Sequence, residues 1–250
     1  MPALVITYSC ITILGIAIGG IVNSFIDKFL FKKRIFHRYC NECSTEVKVH
    51  DQIPIVSFLL LKGRCRSCGA KASIRYPIVE LLNGALYLIV FMANGFNIQS
   101  FLYCLMTSAF LVISFVDGNS LEIPLPCNVF IGILGILMCV YDHTHILSYL
   151  IGVICVSGVL LVLYYLSGGA LIGGGDIKLM AVAGLLLGWQ KTALAFPLAC
   201  IIASVIHVIR MKVSKAEKVL AMGPYLCAAL FICALWGDQM IQWYLNMILK

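Results

Sequence analysis

Charge is what this sequence has least of. Asp, Glu, Lys and Arg make up 12% of its 250 residues, against roughly 25% in a typical soluble globular chain. With 62% hydrophobic residues and a mean hydropathy of +1.01, this scarcity excludes a water-soluble domain of the same length. Polar interruptions are also few, so the apolar residues fall into blocks of roughly 17 to 25, long enough to cross a hydrocarbon core of about 30 Å as helices. Internal repeats and low-complexity tracts are missing, which leaves neither a solenoid nor a disordered tail to consider. No positive residue precedes the first apolar stretch, residues 4–26, whereas Lys28, Lys32, Lys33 and Arg34 follow it. A secretory signal peptide has the opposite charge order and a small-residue cleavage site. The stretch is therefore expected to be a retained first span with its N-terminus outside the cytoplasm.

What charge there is has a side. The net charge is +7, and 11 of the 18 Lys and Arg lie between Lys28 and Arg75. Lys178, Arg210, Lys212, Lys215 and Lys218 occupy two later breaks. Alternating the breaks across a membrane puts all of these on one face, which the positive-inside rule makes cytoplasmic. The basic balance is thus a topology signal, and no nucleic-acid partner is expected.

The expected fold is an all-α polytopic membrane protein of about eight transmembrane helices. A small cytoplasmic zinc-binding subdomain lies between the first and second helices. The division along the chain is residues 1–30 as the first helix and 31–76 as a cytoplasmic tetracysteine loop. Residues 77–236 form a seven-helix core, and 237–250 an interfacial C-terminal tail carrying Trp243 and Tyr244. The spans after the loop are placed at 77–94, 99–116, 126–141, 146–166, 177–189, 192–210 and 219–236, separated by Gly-, Pro- and Asn-rich breaks.

Of the 12 cysteines, eight stand singly in apolar stretches and are small buried hydrophobes. The other four form two C-x-x-C pairs, Cys40–Cys43 and Cys65–Cys68. Two such turns can converge four thiolates on one tetrahedral zinc ion, leaving no open position for a water, so the metal is structural. The alternative is a pair of disulfides or redox dithiols, which a cytoplasmic setting disfavours.

The sequence has 11 acidic residues, and a carboxylate at membrane depth is costly enough to suggest a function. Asp117 ends the 99–116 span and precedes a Gly-Asn turn. Asp176 follows Gly173, Gly174 and Gly175 and opens the next span. Three glycines permit close backbone approach and positive φ, which can seat the following carboxylate in a crowded helix junction. Brought together, two carboxylates share a proton, one acting as general base on water while the other protonates a peptide carbonyl. The competing assignment makes Asp117 a C-terminal turn residue and Asp176 an N-cap. Lys178 is either a snorkelling topology determinant or a local partner for a carboxylate.

In chain order, these residues resemble the type IV prepilin peptidase family, the membrane aspartyl proteases serving type IV pili and type II secretion. The likeness runs from Gly20, Asn23 and Ile26 through both C-x-x-C pairs and Ile53-Pro54-Ile55-Val56-Ser57-Phe58. It continues with Arg75-Tyr76-Pro77-Ile78-Val79-Glu80, Asp117 before Ile123-Pro124, Gly173-Gly174-Gly175-Asp176-Ile177-Lys178 and Gly223-Pro224-Tyr225. The resemblance implies that Asp117 and Asp176 are catalytic, with the glycine turn and Lys178 in support. It implies cleavage of a short basic leader from prepilins or pseudopilins at the cytoplasmic boundary of the bacterial inner membrane. N-methylation of the new terminus from S-adenosylmethionine follows by the same likeness. Three positions depart from the family pattern: Leu125 where an aspartate is usual after Ile-Pro, Asn41 where the first C-x-x-C often has Pro, and Lys28 near a common arginine.

Two other functions compete. A proton- or cation-coupled transporter accounts for the spans and carboxylates but not for the tetracysteine loop or the glycine turn. A scaffold with a zinc-stabilised docking loop leaves the aspartates unexplained.

Overall fold

The computed structural model describes residues 2–32, 42–43, 45, 51, 54–169, 172–214 and 220–248. Helices account for nearly all of the regular structure, and among the described residues the only β pairing is an isolated antiparallel bridge between Arg64 and Lys71. The helices are α1 (Pro2–Phe31), α2 (Val56–Leu60), α3 (Arg75–Asn94), α4 (Ile98–Ser120), α5 (Leu125–Tyr141), α6 (Ile146–Cys155), α7 (Ser157–Leu166), α8 (Gly174–Leu187), α9 (Trp189–Ser214) and α10 (Gly223–Ile248).

Each of the eight expected spans has a helical counterpart, with α6 and α7 forming one apolar stretch interrupted at Val156. Six are long and apolar enough to cross a membrane: 4–31, 75–94, 98–120, 143–166, 189–212 and 223–248. The other two, α5 and α8, have 17 and 14 residues. At 1.5 Å per residue α8 is about 21 Å long, too short to reach both faces of a hydrocarbon core of about 30 Å. The C-terminal segment, expected as a separate interfacial tail, instead continues α10 without a break to Ile248.

Two compact units divide the chain, Met1–Val112 and Ile113–Lys250. In the first, α1 and α3 lie antiparallel and very close. A Cβ at Gly15 would come within 2.8 Å of the Gly84 Cα, and one at Gly19 within 2.7 Å of the Glu80 Cα. Small residues permit such contact where lipid, as apolar as the side chains, offers no hydrophobic drive for helix association. Polar side chains add to it: Asn83 donates to the Gly15 carbonyl (2.7 Å) and accepts from Ser108 (3.0 Å).

In the second unit α8 is the buried centre. Leu179, Met180, Ala183 and Leu186 are all fully enclosed. α5 runs beside it in parallel, with Ile123 against Gly175, Gly132 against Val182 and Gly135 against Leu185. α6 runs antiparallel, and here backbone meets backbone: a Cβ on Gly184 would lie 2.0 Å from the Gly152 carbonyl oxygen. Neither chain can yield by rotating a side chain, so Gly184→Ala is expected to lower stability by about 1–3 kcal/mol or more. Thermal unfolding of the purified protein in detergent measures this.

α9 and α10 are tied by Lys191 and Asp238, 2.8 Å apart. In the break between α5 and α6, Asp142 accepts hydrogen bonds from His145, Thr144 and Tyr149, which hold its carboxyl down at about 2. Outward, residues such as Leu147, Ile154, Val162 and Leu166 remain largely exposed. Those apolar surfaces are what a bilayer solvates.

Candidate active site

Four elements of the second unit converge on the aspartates. Asp117 sits in the last turn of α4 and is 5% exposed. Its carboxylate accepts the backbone N–H of Gly223, the first residue of α10, at 2.8 Å. The approach is possible because residue 223 has no side chain: a Cβ there would fall 2.6 Å from Asp117 Oδ2 and 2.9 Å from its Cγ. The N-terminal N–H groups of a helix are unpaired within it and attract negative charge. Asp117 is a residue of the C-terminal turn of α4, as the competing assignment expected, but its carboxylate serves a different helix, 106 residues away.

Asp176 is the third residue of α8, whose N-cap is Gly173. Its carboxylate reaches back to the Gly173 backbone N–H, the return half of a capping box. The N-cap expectation for Asp176 is corrected by one turn position: it caps from inside the helix. The glycines before it are used for closeness alone, since Gly173 has φ −71° and none of the three has positive φ. At Gly175 a Cβ would press within 3.0 Å of Ile123 Cβ, whereas one at Gly174 meets nothing within 4 Å.

The two carboxylates are near enough for the charge of Asp117 to act on Asp176. Both also act on the Cys227 thiol of α10, which is fully buried and interacts with Ser114 of α4 and Cys127 of α5. The structure therefore brings into each other's field the aspartates that the sequence separates by 59 positions. Lys178 is exposed and makes no ion pair among the described residues, in keeping with a snorkelling cation. Leu125, where the resemblance leads one to expect an aspartate, is 59% exposed, unlike the enclosed Asp117.

Within the first unit, the sulfurs of Cys43, Cys65 and Cys68 lie within 4.8 Å of one another, an arrangement that could hold a metal ion. Cys65 and Cys68 are shaped by a tight turn in which Gly69 N–H donates to the Cys65 carbonyl and Cys65 N–H to that of Ala70. Cys40 lies outside the described residues.

Sequence reasoning missed a second buried polar group in this unit. Asp27 of α1 pairs with Arg75 and accepts from the Tyr76 hydroxyl at 2.8 Å. Glu80 of α3 accepts from Asn23 at 3.4 Å and from the Ile55 backbone N–H at 2.8 Å. Ile55 has φ +59°, an uncommon conformation for a β-branched residue, so this carboxylate anchors a constrained turn before α2 to a membrane helix. The rule that flagged Asp117, an acid inside an apolar block, also applies to Asp27 and Glu80.

Residues 104–208 match the type IV leader peptidase family, and residues 13–94 match the bacterial peptidase A24 N-terminal domain. The chain belongs to the type IV leader peptidase family. Named relatives agree with the leader-peptidase assignment. The prepilin leader peptidase/N-methyltransferase of Aeromonas salmonicida is 34% identical over 223 residues, covering 84% of this chain and 75% of the relative. That of Pseudomonas aeruginosa is 32% identical over 217 residues, with 83% and 74% covered. That of Bacillus subtilis is 29% identical over 216 residues, with 84% and 86% covered. Among solved structures there is no significant match.

Proposed function

We propose that this leader-peptidase chain cleaves the short basic leader from type IV prepilins or pseudopilins, with Asp117 and Asp176 as its catalytic residues. The observation that carries the reading is the convergence of two carboxylates from α4 and α8, one of them held by a helix N-terminus. A carboxylate in the field of another is harder to ionise, so such a pair can hold one proton between them. The ionised member takes a proton from water, whose oxygen attacks the scissile carbonyl carbon. The protonated member gives its proton to the carbonyl oxygen. Collapse of the tetrahedral species breaks the C–N bond and returns a proton to the departing amine.

The site is placed at the cytoplasmic boundary of the bacterial inner membrane, with the N-terminus of α1 on the opposite side. The support is the charge distribution: 16 of the 18 Lys and Arg fall in breaks assigned to one face. The substrate's apolar helix then lies in the bilayer beside the enzyme. The names of the relatives support a second step, methylation of the new N-terminus, with S-adenosylmethionine as donor; no residue is assigned to that donor. Nothing favours the transporter reading.

The metal in this reading is structural zinc, held by Cys40, Cys43, Cys65 and Cys68. Thiolates at about 2.3 Å from a tetrahedral ion stand about 3.8 Å apart, and three of these sulfurs already lie within 4.8 Å of each other. When bound, zinc supplies a cross-link that fixes the loop. A Cys40→Ser, Cys65→Ser double variant is expected to lose essentially all bound zinc, read by elemental analysis of the purified protein. Unchanged zinc content would refute the site.

The experiment that tests the function is co-expression with a candidate prepilin and measurement of the mass of the pilin N-terminus. One mass distinguishes uncleaved, cleaved, and cleaved and methylated products. An unchanged leader in the presence of correctly inserted enzyme overturns the reading.

A further inference from the structure

Asn128 is a buried polar residue near the aspartates that the acid–base chemistry of cleavage does not use. It is 3% exposed and lies on the inner face of α5 with Cys127, Ile131 and Leu134. Neither its amide nitrogen nor its amide oxygen has a hydrogen-bond partner among the described residues. More than nine in ten buried polar groups are paired, so a carboxamide with both ends free, enclosed in a membrane protein, calls for a ligand.

The parallel contacts of α5 with α8 locate it. Ile123 meets Gly175 and Gly132 meets Val182, so Asn128 stands level with residues 178–179, two to three residues inward of Asp176. At about 1.5 Å per residue this is an offset along the helix axis of less than one turn from residue 176. Its neighbour Cys127 acts on the same buried thiol, Cys227, on which both aspartates act.

The chemistry of the missing partner follows from the amide itself. A carboxamide offers one acceptor oxygen and one donor nitrogen, the same pair that a peptide group presents. It can therefore bond a peptide C=O and N–H together, whatever the side chains. A substrate cleaved at membrane depth needs such a partner. Its backbone must leave the helix to reach the aspartates, and each N–H and C=O freed on the membrane side of them lies where the bilayer offers no partner. We infer that the Asn128 carboxamide pairs with the substrate peptide group next to the scissile bond on its membrane side, holding the unwound backbone for cleavage. The inference rests on the peptidase reading above.

The test compares wild type, Asn128→Leu and Asp117→Asn, as full-length enzyme in detergent, on two forms of a synthetic prepilin segment. One form carries the normal backbone; in the other, the peptide N–H next to the scissile bond on its membrane side is replaced by an ester oxygen. Leucine has the same branched four-atom side-chain skeleton as asparagine and removes the unpaired amide, so Asn128→Leu is expected to keep or raise the thermal midpoint. Its kcat/KM is expected to fall about 10- to 100-fold, the loss of a buried hydrogen-bonded pair. The ester is expected to slow wild type but to cost Asn128→Leu little more, a non-additivity that a purely structural residue does not produce. Wild-type kcat/KM in Asn128→Leu, or an equal ester penalty in both enzymes, overturns the inference. If Asn128→Leu does not accumulate in membranes, Asn128→Ser replaces it in the same comparison, and the same two results overturn the inference. Asp117→Asn separates the two claims: cleavage by that variant refutes the aspartate reading, whereas an inactive Asp117→Asn beside a fully active Asn128→Leu refutes only the role of Asn128.

Discussion

Asp117→Asn and Asp176→Asn are each expected to reduce leader cleavage by at least about 10³-fold, within the range that positioned acid–base groups contribute, while the protein still inserts. Asparagine keeps the size of aspartate and an oxygen to accept the Gly223 N–H, which now bonds Asp117 at 2.8 Å. The fold therefore has little reason to change. What is lost is the ability to take or give a proton. Cleavage is read by the mobility or mass of a co-expressed prepilin at matched enzyme level. Full processing by either variant would sink the catalytic assignment.

The second large effect is expected at a residue without a side chain. In Gly223→Ala the new methyl carbon would stand 2.6 Å from Asp117 Oδ2 and 3.0 Å from its Cβ. The carboxylate must swing off the helix N-terminus or α10 must move back. Misplacement of a reacting group by about 1 Å can cost about 100-fold in rate, and a loss of that order is expected in kcat. Gly174→Ala is the matched control, because its Cβ enters open space, and it is expected to cleave at close to the wild-type rate. Equal activity in the two variants would show that the Gly223 contact does not position Asp117.

The helices were legible because hydropathy is a local property: each apolar block between polar breaks became a helix. The misjudged edge was also local in origin. Asp238 and the aromatics Trp243 and Tyr244 suggested that the last span stopped near residue 236. The helix runs on because no residue there breaks it and Asp238 pairs with Lys191 of α9. The aspartates could be named from neighbouring turn residues and family likeness, yet their surroundings could not. The Gly223 amide and the Cys227 thiol meet residues about 50 to 110 positions away, and the unpaired state of Asn128 shows only once the fold is assembled around it. No window along the chain contains them. Asp27 and Glu80, acids within apolar blocks, were open to the same reasoning as Asp117, and their partners Arg75, Tyr76 and Ile55 lie 25 to 49 positions away. The fourth thiol, Cys40, falls outside the described residues, so the full ligand set rests on spacing.

The bond from the start of α10 to the end of α4 also sets an order of assembly. Asp117 emerges early in synthesis, but the amide that steadies it belongs to residue 223. A ribosome-bound chain carrying both aspartates and lacking α10 would hold its acid pair without its clasp. Under the proposed function, the acid pair is complete only once the helix that begins at Gly223 has folded against the end of α4.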